Sequence, residues 1–311
     1  MSLYYSSDRM RKFLLVFFLT FTAAFTPIAA KYVVGAISPL SLAFLRFGVA
    51  TILLLIVFKV RNENFRIERK DLSMFLLLGA LVIPINQFCF LEGIKLSVAS
   101  HSGVMYSLTP LIIYLLSIKL KNEEFRLNKL LTISLTVIGI VIIFYENIIA
   151  PKVEGVNYLL GDTLLFLAVA SWSVYLALSQ NMVVKYGALK TQTVSFVIGI
   201  LMYIPVFLFD VKNLSFEKVN GIVVLGYLHL TILVAFGSYF LYSYSTKVIK
   251  TSTLTTLTNT SPVVTIIFSW LLLKEEMSYY FVAGASITML GVILTQRIKD
   301  NPKPQLQETV N

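Results

Sequence analysis

The stretch from Thr251 to Glu276, TSTLTTLTNTSPVVTIIFSWLLLKEE, decides the fold of this 311-residue chain. Its first half carries polar residues at helical spacing, and its second half is almost wholly apolar. On a helix of 3.6 residues per turn, these polar side chains share one face. The stretch therefore predicts a membrane helix with a stripe of hydroxyl and amide groups. The polar face consists of Ser252, Thr255, Thr258, Asn259 and Pro262.

A second copy of this pattern lies 152 residues earlier, in residues 99–124. Both copies place a proline after a polar helical face and before an apolar run, and both end in a pair of glutamates. A repeat of about half the chain, centred on helices that contain proline, is typical of membrane transporters. The matched pairs are Ser100 with Ser252, Tyr106 with Thr258, Ser107 with Asn259, Pro110 with Pro262, and Gly139 with Gly291.

Composition indicates an integral membrane protein. Hydrophobic residues make up 57% of the chain, charged residues 14%, and the mean hydropathy is +0.80, whereas soluble domains carry about 25% charged residues. The net charge of +10 does not predict nucleic-acid binding, because the basic residues gather at the ends of apolar spans. The single cysteine, Cys89, excludes an intrachain disulfide.

Apolar runs of about 20 residues predict an all-α polytopic membrane protein with ten transmembrane helices. Five helices form a first repeat in residues 13–145, and five more form a second repeat in residues 158–297. Residues 146–157 are the predicted linker, residues 1–12 a cytoplasmic N-terminus, and residues 298–311 a cytoplasmic tail. The predicted spans are 13–34, 41–58, 72–93, 98–118, 129–145, 158–182, 191–209, 219–245, 251–273 and 279–297.

Lysines and arginines predict the orientation of these spans. If both termini are cytoplasmic, nineteen of the 26 basic residues fall on the cytoplasmic side, six fall on the other side, and Arg46 lies within a span. This asymmetry favours cytoplasmic termini. Because five is an odd number, two consecutive five-helix repeats must be inverted relative to each other in the membrane.

The runs SVASHSGVMYSLTPL and IKTSTLTTLTNTSPVV resemble the two EamA repeats of the drug/metabolite transporter superfamily. Pro39 with Arg46 in span 2, and Gly161-Asp162 at the start of span 6, are similar to further marks of that family. The family often has Trp-Gly in span 1, where this chain has Ala23-Ala24, so the substrate cannot be transferred from a relative. The resemblance implies a central cavity lined by spans 1, 3, 4, 6, 8 and 9, and alternating access without ATP.

Polar and aromatic side chains inside the spans are the candidate lining of a substrate cavity, because polar groups in lipid are unfavourable. The alternative is that small and hydroxyl-bearing residues permit close helix packing or bond to their own backbone. The two prolines, Pro110 and Pro262, are candidate hinges about which the two inverted halves are expected to rock. The cavity candidates are Asn86, Phe90, Tyr106, Ser107, Trp172, Tyr175, Ser238, Tyr242, Thr255, Thr258 and Asn259.

Four basic or titratable residues are candidate charge or proton sites. Arg46 either extends to the membrane surface and stabilises the fold or contacts the substrate. His101 and His229 either carry protons or are neutral hydrogen-bonded side chains. Lys95, near one mouth of the predicted cavity, is interpreted as an interfacial charge or a gate.

Three acidic residues receive structural interpretations. Asp162 is expected to be an interfacial charge or a gate rather than part of a buried proton relay. Glu123 and Glu275 are expected to complement the dipoles of spans 5 and 10 at their N-termini.

These features predict a secondary transporter in the cytoplasmic (inner) membrane that exports small organic solutes. A neutral or zwitterionic amphipathic solute, such as an apolar amino acid or an aromatic metabolite, suits the lining. We expect a monomer with no catalytic residues, metal or cofactor, and with proton coupling as an open option. A channel or uniporter is the alternative, and an intramembrane enzyme is a weaker one, because nucleotide, zinc and nucleophile motifs are absent.

Overall fold

The computed structural model describes residues 2–119, 126–149, 157–238, 240–241 and 261–298. This part of the chain is helical and contains no strand. The helices are α1 (Ser2–Val34), α2 (Pro39–Val60), α3 (Leu72–Ala80), α4 (Asn86–Leu96), α5 (Ala99–Tyr106), α6 (Thr109–Lys119), α7 (Leu127–Ile149), α8 (Tyr158–Tyr186), α9 (Ala188–Asp210), α10 (Gly221–Leu228), α11 (Ser261–Leu273) and α12 (Tyr279–Arg297).

Seven helical stretches among the described residues are long and apolar enough to cross a membrane. They run from 13 to 34, 39 to 60, 69 to 96, 127 to 146, 158 to 186, 188 to 213 and 221 to 238, and each overlaps a predicted span. Helices α11 and α12 are apolar but shorter. The all-helical membrane fold is therefore confirmed, and the full count of ten spans stays a prediction.

Two helices add detail to the predicted spans. The candidate span 13–34 has the predicted bounds, and its helix extends back to Ser2, since residues 2–12 contain no proline or glycine that would end it. The predicted fourth span is broken, because α5 ends at Tyr106 and α6 begins at Thr109. Pro110 stands in the first turn of α6, where a missing backbone N–H is tolerated.

Two π-helical segments, unpredicted from the sequence, interrupt the bundle. One spans Leu81–Ile85 and joins α3 to α4, and the other spans His229–Ser238 and follows α10. The first aligns with residues 233–237 under the 152-residue offset, so the same distortion recurs in both halves of the chain. Such segments often occur at functional sites. The Ser171 hydroxyl donates to the Leu81 carbonyl at 2.8 Å and satisfies one backbone group of the first segment.

The two halves of the chain interlock. The most extensive helix contacts join a helix before residue 150 to one after residue 156: α7 with α12, α4 with α8, α2 with α9, and α3 with α9, followed by α1 with α11. Tight glycine contacts support the α4–α8 crossing, where a Cβ atom on Gly161 would lie 2.7 Å from the Leu96 carbonyl carbon. The halves therefore do not form two separate blocks, and rocking of whole halves would break the main helix contacts.

Helices α7 and α12 cross through reciprocal contacts. A Cβ atom on Gly139 would lie 2.3 Å from Thr288 Oγ1, and one on Gly291 would lie 2.3 Å from Thr136 Oγ1. Adding 152 to 139 and to 136 gives 291 and 288, so the offset exchanges the members of the two pairs. The Thr288 hydroxyl also donates to the Thr136 carbonyl at 3.5 Å.

Large apolar side chains cover much of the outer surface of the bundle, as expected for contact with lipid. Examples on three different helices are Phe17 on α1, Leu201 and Phe209 on α9, and Leu225 on α10, which are between 58% and 72% exposed. We call the end of the bundle where α1 ends and α2 begins the upper end, and the end where α2 ends the lower end.

Candidate functional site

A hydrogen-bonded polar network lies where α2, α4, α8 and the second π segment meet. Arg46 Nη1 donates to Gln87 Oε1 at 2.9 Å, and Gln87 Nε2 donates to Asn86 Oδ1 at 2.6 Å. Asn86 Nδ2 donates to the Ala168 carbonyl at 2.7 Å, while Arg46 Nε donates to the Leu230 carbonyl at 2.8 Å. Arg46, Gln87 and Asn86 are each 2% exposed. The network therefore ties four parts of the bundle together in its interior.

Aromatic residues extend this network on α5 and α8. The Tyr106 hydroxyl lies near the Asn86 side chain, and its ring meets Phe90 edge-on with centroids 5.9 Å apart. Trp172 stacks on Tyr175 at 5.5 Å. Tyr106 and Trp172 keep partly exposed surface, whereas Phe90 and Tyr175 are buried. Asn86, Phe90 and Tyr106 are thus brought together, and Tyr106 and Trp172 are the members with accessible surface.

Other predicted cavity residues form bonds within the protein. The Ser107 hydroxyl donates to the Val104 carbonyl at 2.6 Å, which is a bond to its own helix. The Ser238 hydroxyl lies 2.7 Å from Thr22 Oγ1 and donates to the Leu233 carbonyl at 2.9 Å. The predicted residues Tyr242, Thr255, Thr258 and Asn259 lie outside the described part of the chain.

Arg46 does not extend to the membrane surface, so that interpretation is wrong. Its guanidinium is bound inside the bundle by Leu230 and Gln87, because nearby backbone and amide oxygens replace the water that it would otherwise seek. Lys95 is exposed and lines an open cavity of about 420 Å³ at the upper end. Glu92 and Asp210 line the same cavity, which is consistent with an interfacial charge.

A second polar cluster, which we call the upper cluster, consists of Lys31, Ser97, His101, Asp162 and Glu275. His101 Nδ1 lies 2.8 Å from Asp162 Oδ2, and Asp162 also accepts from the Ser97 hydroxyl. His101 and Asp162 are both fully buried. The interpretation of Asp162 as an interfacial charge is therefore wrong, because α4 and α5 cover its carboxylate.

Lys31 and Glu275 complete the upper cluster. Lys31 Nζ donates to the Ile94 carbonyl at 2.8 Å and to the Ser97 carbonyl, at the end of α4. Glu275 accepts from the backbone N–H groups of Ala99 and Ser100 at 2.7 and 3.0 Å. It therefore caps α5 rather than span 10 as predicted. The N-terminus of α12 is instead capped by the Ser278 hydroxyl, which accepts from Phe281 N.

His229 has a different environment from His101. Its Nε2 lies 3.2 Å from the carbonyl oxygen of Thr22. Among the described residues, its hydrogen-bond partner is therefore a backbone group and not an acidic side chain. Pro110 is the second residue of α6, and Pro262, which is buried, is the second described residue of α11.

A group of ion-paired side chains lies at the lower end of the bundle. Lys185 on α8 lies 2.6 Å from both Glu68 and Asp71, and the Tyr186 hydroxyl donates to Asp71 at 2.5 Å. Hydrogen bonds from Lys185 and Lys70 lower the pKa of Glu68. Lys190 adds a bond to Asn64 at 3.0 Å. These contacts join the loop after α2 to the turn between α8 and α9.

Sequence reasoning missed Gln87 and the pairing of His101 with Asp162. Gln87 directly follows Asn86 and is the link between Asn86 and Arg46, which no periodic pattern could indicate. Within the part of the chain that the structure describes, no group of three histidine, cysteine or acidic residues is arranged to hold a metal ion.

Comparison with known proteins identifies relatives over almost the whole chain. The protein is 27% identical over 297 residues to a Bacillus subtilis protein named uncharacterized transporter YyaM, covering 95% of this chain and 96% of that protein. It is 25% identical over 277 residues to an uncharacterized transporter of Archaeoglobus fulgidus, covering 88% and 94%. A solved crystal structure matches with a TM-score of 0.62 at 16% identity, covering 92% of this chain and 96% of that one, which shows a shared fold.

The sequence profile of the EamA-like transporter family matches this chain twice, at residues 10–145 and 159–297. The two matches together include both polar networks and the α7–α12 crossing. The resemblance seen in the sequence is therefore confirmed. The chain belongs to the EamA-like transporter family.

Proposed function

We propose that the protein is a secondary transporter that moves small neutral or zwitterionic organic solutes outward across the cytoplasmic membrane by alternating access. Ten spans arranged as two inverted five-helix repeats form it, with both termini in the cytoplasm. The reciprocal contacts of Gly139 with Thr288 and of Thr136 with Gly291 support an inverted repeat, because a twofold axis between two helices exchanges such pairs. The Lys and Arg distribution supports the orientation.

The network around Asn86 is the observation that carries the proposal of a solute path. It places an amide, a phenol and a guanidinium inside a membrane bundle, where polar groups are costly unless they serve a site or a bond. Tyr106 and Trp172 retain exposed surface near it. Aromatic faces with few uncompensated charges suit an amino acid with an apolar side chain or an aromatic metabolite better than a phosphate ester.

The contacts between the two halves restrict the motions by which alternating access can occur. Because α4 packs on α8 and α1 packs on α11, each moving unit must contain helices from both halves. The breaks before Pro110 in span 4 and at the two π segments supply places where helices bend. The ionic group at the lower end and the upper cluster are the contacts that such motion would open in turn.

Counterflow in proteoliposomes tests the proposal. Purified protein is reconstituted with a panel of unlabelled amino acids and aromatic metabolites inside, and uptake of the same labelled compounds is measured. We expect saturable exchange for at least one apolar or aromatic member and none for phosphate esters. Electrical conductance without exchange would favour a channel, and chemical conversion of a compound would favour an enzyme. Absence of exchange across the panel would contradict the proposed solute class.

A further inference from the structure

We propose that His101 and Asp162 form a proton-binding site that couples proton movement to the transport cycle. This inference rests on the proposed function. The two side chains belong to α5 and α8, and Nδ1 of the imidazole lies 2.8 Å from one carboxylate oxygen and 3.1 Å from the other. An imidazole is the side chain whose ordinary titration falls nearest neutral pH, and a carboxylate at this distance favours its protonated form.

The second ring nitrogen of His101 is unusual. Nε2 is buried and has no hydrogen-bond partner among the described residues. One face of the ring stacks on Phe281, with centroids 5.0 Å apart and planes 11° from parallel. A histidine held only for packing would be expected to satisfy both nitrogens, because buried polar atoms without a partner are costly. Nε2 is therefore the atom at which a proton from water can bind, converting the imidazole to an imidazolium.

The internal repeat distinguishes charges that recur at the equivalent position from charges that do not. Glu275, which caps α5, has its counterpart in Glu123 under the 152-residue offset, so that charge recurs in both halves. His101, Asp162 and Lys31 have no ionisable counterparts. The equivalent residues are Thr253, Met10 and Val183. The repeat thus does not require these three charges, and their presence at only one of the two positions that the repeat relates indicates a role beyond folding.

Electrostatics favour reversible proton binding at this place. Among the described residues, the upper cluster brings to His101 the charged groups Asp162 from α8, Lys31 from α1 and Glu275 from the connection between α11 and α12. Lys31 also lies within electrostatic range of Glu275, as does Tyr158 at the start of α8. If both carboxylates are ionised and Lys31 is an ammonium, the upper cluster has a net charge of −1 when His101 is neutral and of zero when His101 is protonated.

A buried net charge of −1 is unfavourable, and this favours protonation of His101. The protonated ring would carry an Nε2–H group without an acceptor, and this opposes protonation. These opposing effects keep both states within reach, as a coupling site requires. Water or the carboxylate of a zwitterionic solute would satisfy the Nε2–H group once the upper end opens.

The position of the pair explains how the proton would be coupled to motion. His101 and Asp162 join α5 to α8, and both are fully covered in this conformation. A proton can therefore enter or leave only when these helices separate at the upper end. Under the proposed orientation that end faces outward, so the site exchanges protons with the external medium in the outward-open state. Protonation and opening are then linked equilibria.

Nuclear magnetic resonance can test proton binding without knowledge of the solute. The chain has two histidines, so ¹⁵N-histidine labelling in a His229→Asn background leaves His101 as the single reporter. We expect its ring nitrogens to change from the neutral to the doubly protonated state as the pH is lowered. Asp162→Asn should weaken proton binding at His101 at least tenfold. In the matched control, His101→Asn, the titration of His229 should not respond to Asp162→Asn.

Each result decides the assignment. A His101 signal that does not titrate, or that titrates identically with Asp162→Asn, overturns the proton site. If Asp162→Asn does not fold, Ser97→Ala replaces it, because loss of one donor to the carboxylate should strengthen proton binding by about threefold or more. An unchanged titration in Ser97→Ala would equally contradict the pairing.

Flux measurements then test coupling. In proteoliposomes loaded from the amino-acid panel, an imposed pH gradient should accelerate wild-type uptake, and the ratio of uptake with the gradient to uptake without it should fall to about one in Asp162→Asn. Acceleration that persists in Asp162→Asn overturns the coupling role. A wild-type protein that titrates normally but shows no counterflow contradicts the proposed function instead, so the two failures are distinguishable.

Discussion

Replacing Gly139 with alanine should destabilise the crossing of α7 and α12. The added Cβ atom would lie 2.3 Å from Thr288 Oγ1, 2.6 Å from Thr288 N and 2.5 Å from the Gly284 carbonyl oxygen. Two of these three atoms belong to the backbone, so a change of side-chain rotamer cannot relieve the overlap. Overpacking of this kind costs about 1–3 kcal/mol, and contact with backbone places it near the upper value. Alanine regains about 1 kcal/mol of helix propensity, which leaves a net loss of about 2 kcal/mol.

Gly48 offers a matched control on α2, because a Cβ atom there meets nothing within 4 Å. Gly48→Ala should raise stability by up to about 1 kcal/mol. Unfolding of both variants in mixed micelles measures the difference directly. Gly291→Ala should lose as much stability as Gly139→Ala, because its Cβ atom would lie 2.3 Å from Thr136 Oγ1 and 2.7 Å from Thr136 N. A Gly139→Ala protein as stable as Gly48→Ala would refute the packing argument, and unequal effects at the two matched glycines would refute the twofold relation.

Three further predictions concern topology, binding and motion. In a cysteine-free background, a single cysteine at Glu68 should resist an impermeant thiol reagent added outside intact cells, and one at Val153 should react; labelling at Glu68 from outside would reverse the orientation. Tyr106→Ala should weaken solute binding by about 1–3 kcal/mol in a competition assay, whereas Ile267→Ala, which is 48% exposed on α11, should change it by less than about 0.5 kcal/mol. Pro110→Ala should slow turnover more than it weakens binding if the break in span 4 serves the conformational step, and unchanged turnover would remove Pro110 from the mechanism.

The sequence by itself determined the class and the outline of the fold. The length of each apolar run is set by the thickness of the bilayer, so seven of the predicted spans reappear as long apolar helices with nearly the predicted bounds. The matched pair Gly139 and Gly291 could also be recognised in the sequence, because equivalent residues of the two repeats are separated by the same offset. Both features depend on local composition or on comparison of the chain with itself, and neither requires knowledge of which helices touch.

Tertiary structure decided which polar groups meet. His101 and Asp162 are 61 residues apart, and nothing in the spacing of either residue indicates the other; their contact exists because α5 and α8 pack together at the upper end. Arg46 is buried for the same reason, since the Leu230 carbonyl and Gln87 reach it from other helices. The one available signal was the absence of ionisable counterparts in the repeat. Hydrophobic patterns place helices in the membrane, but hydrogen-bond partners depend on the register and rotation of helices that are distant in sequence, and only the packed structure fixes those.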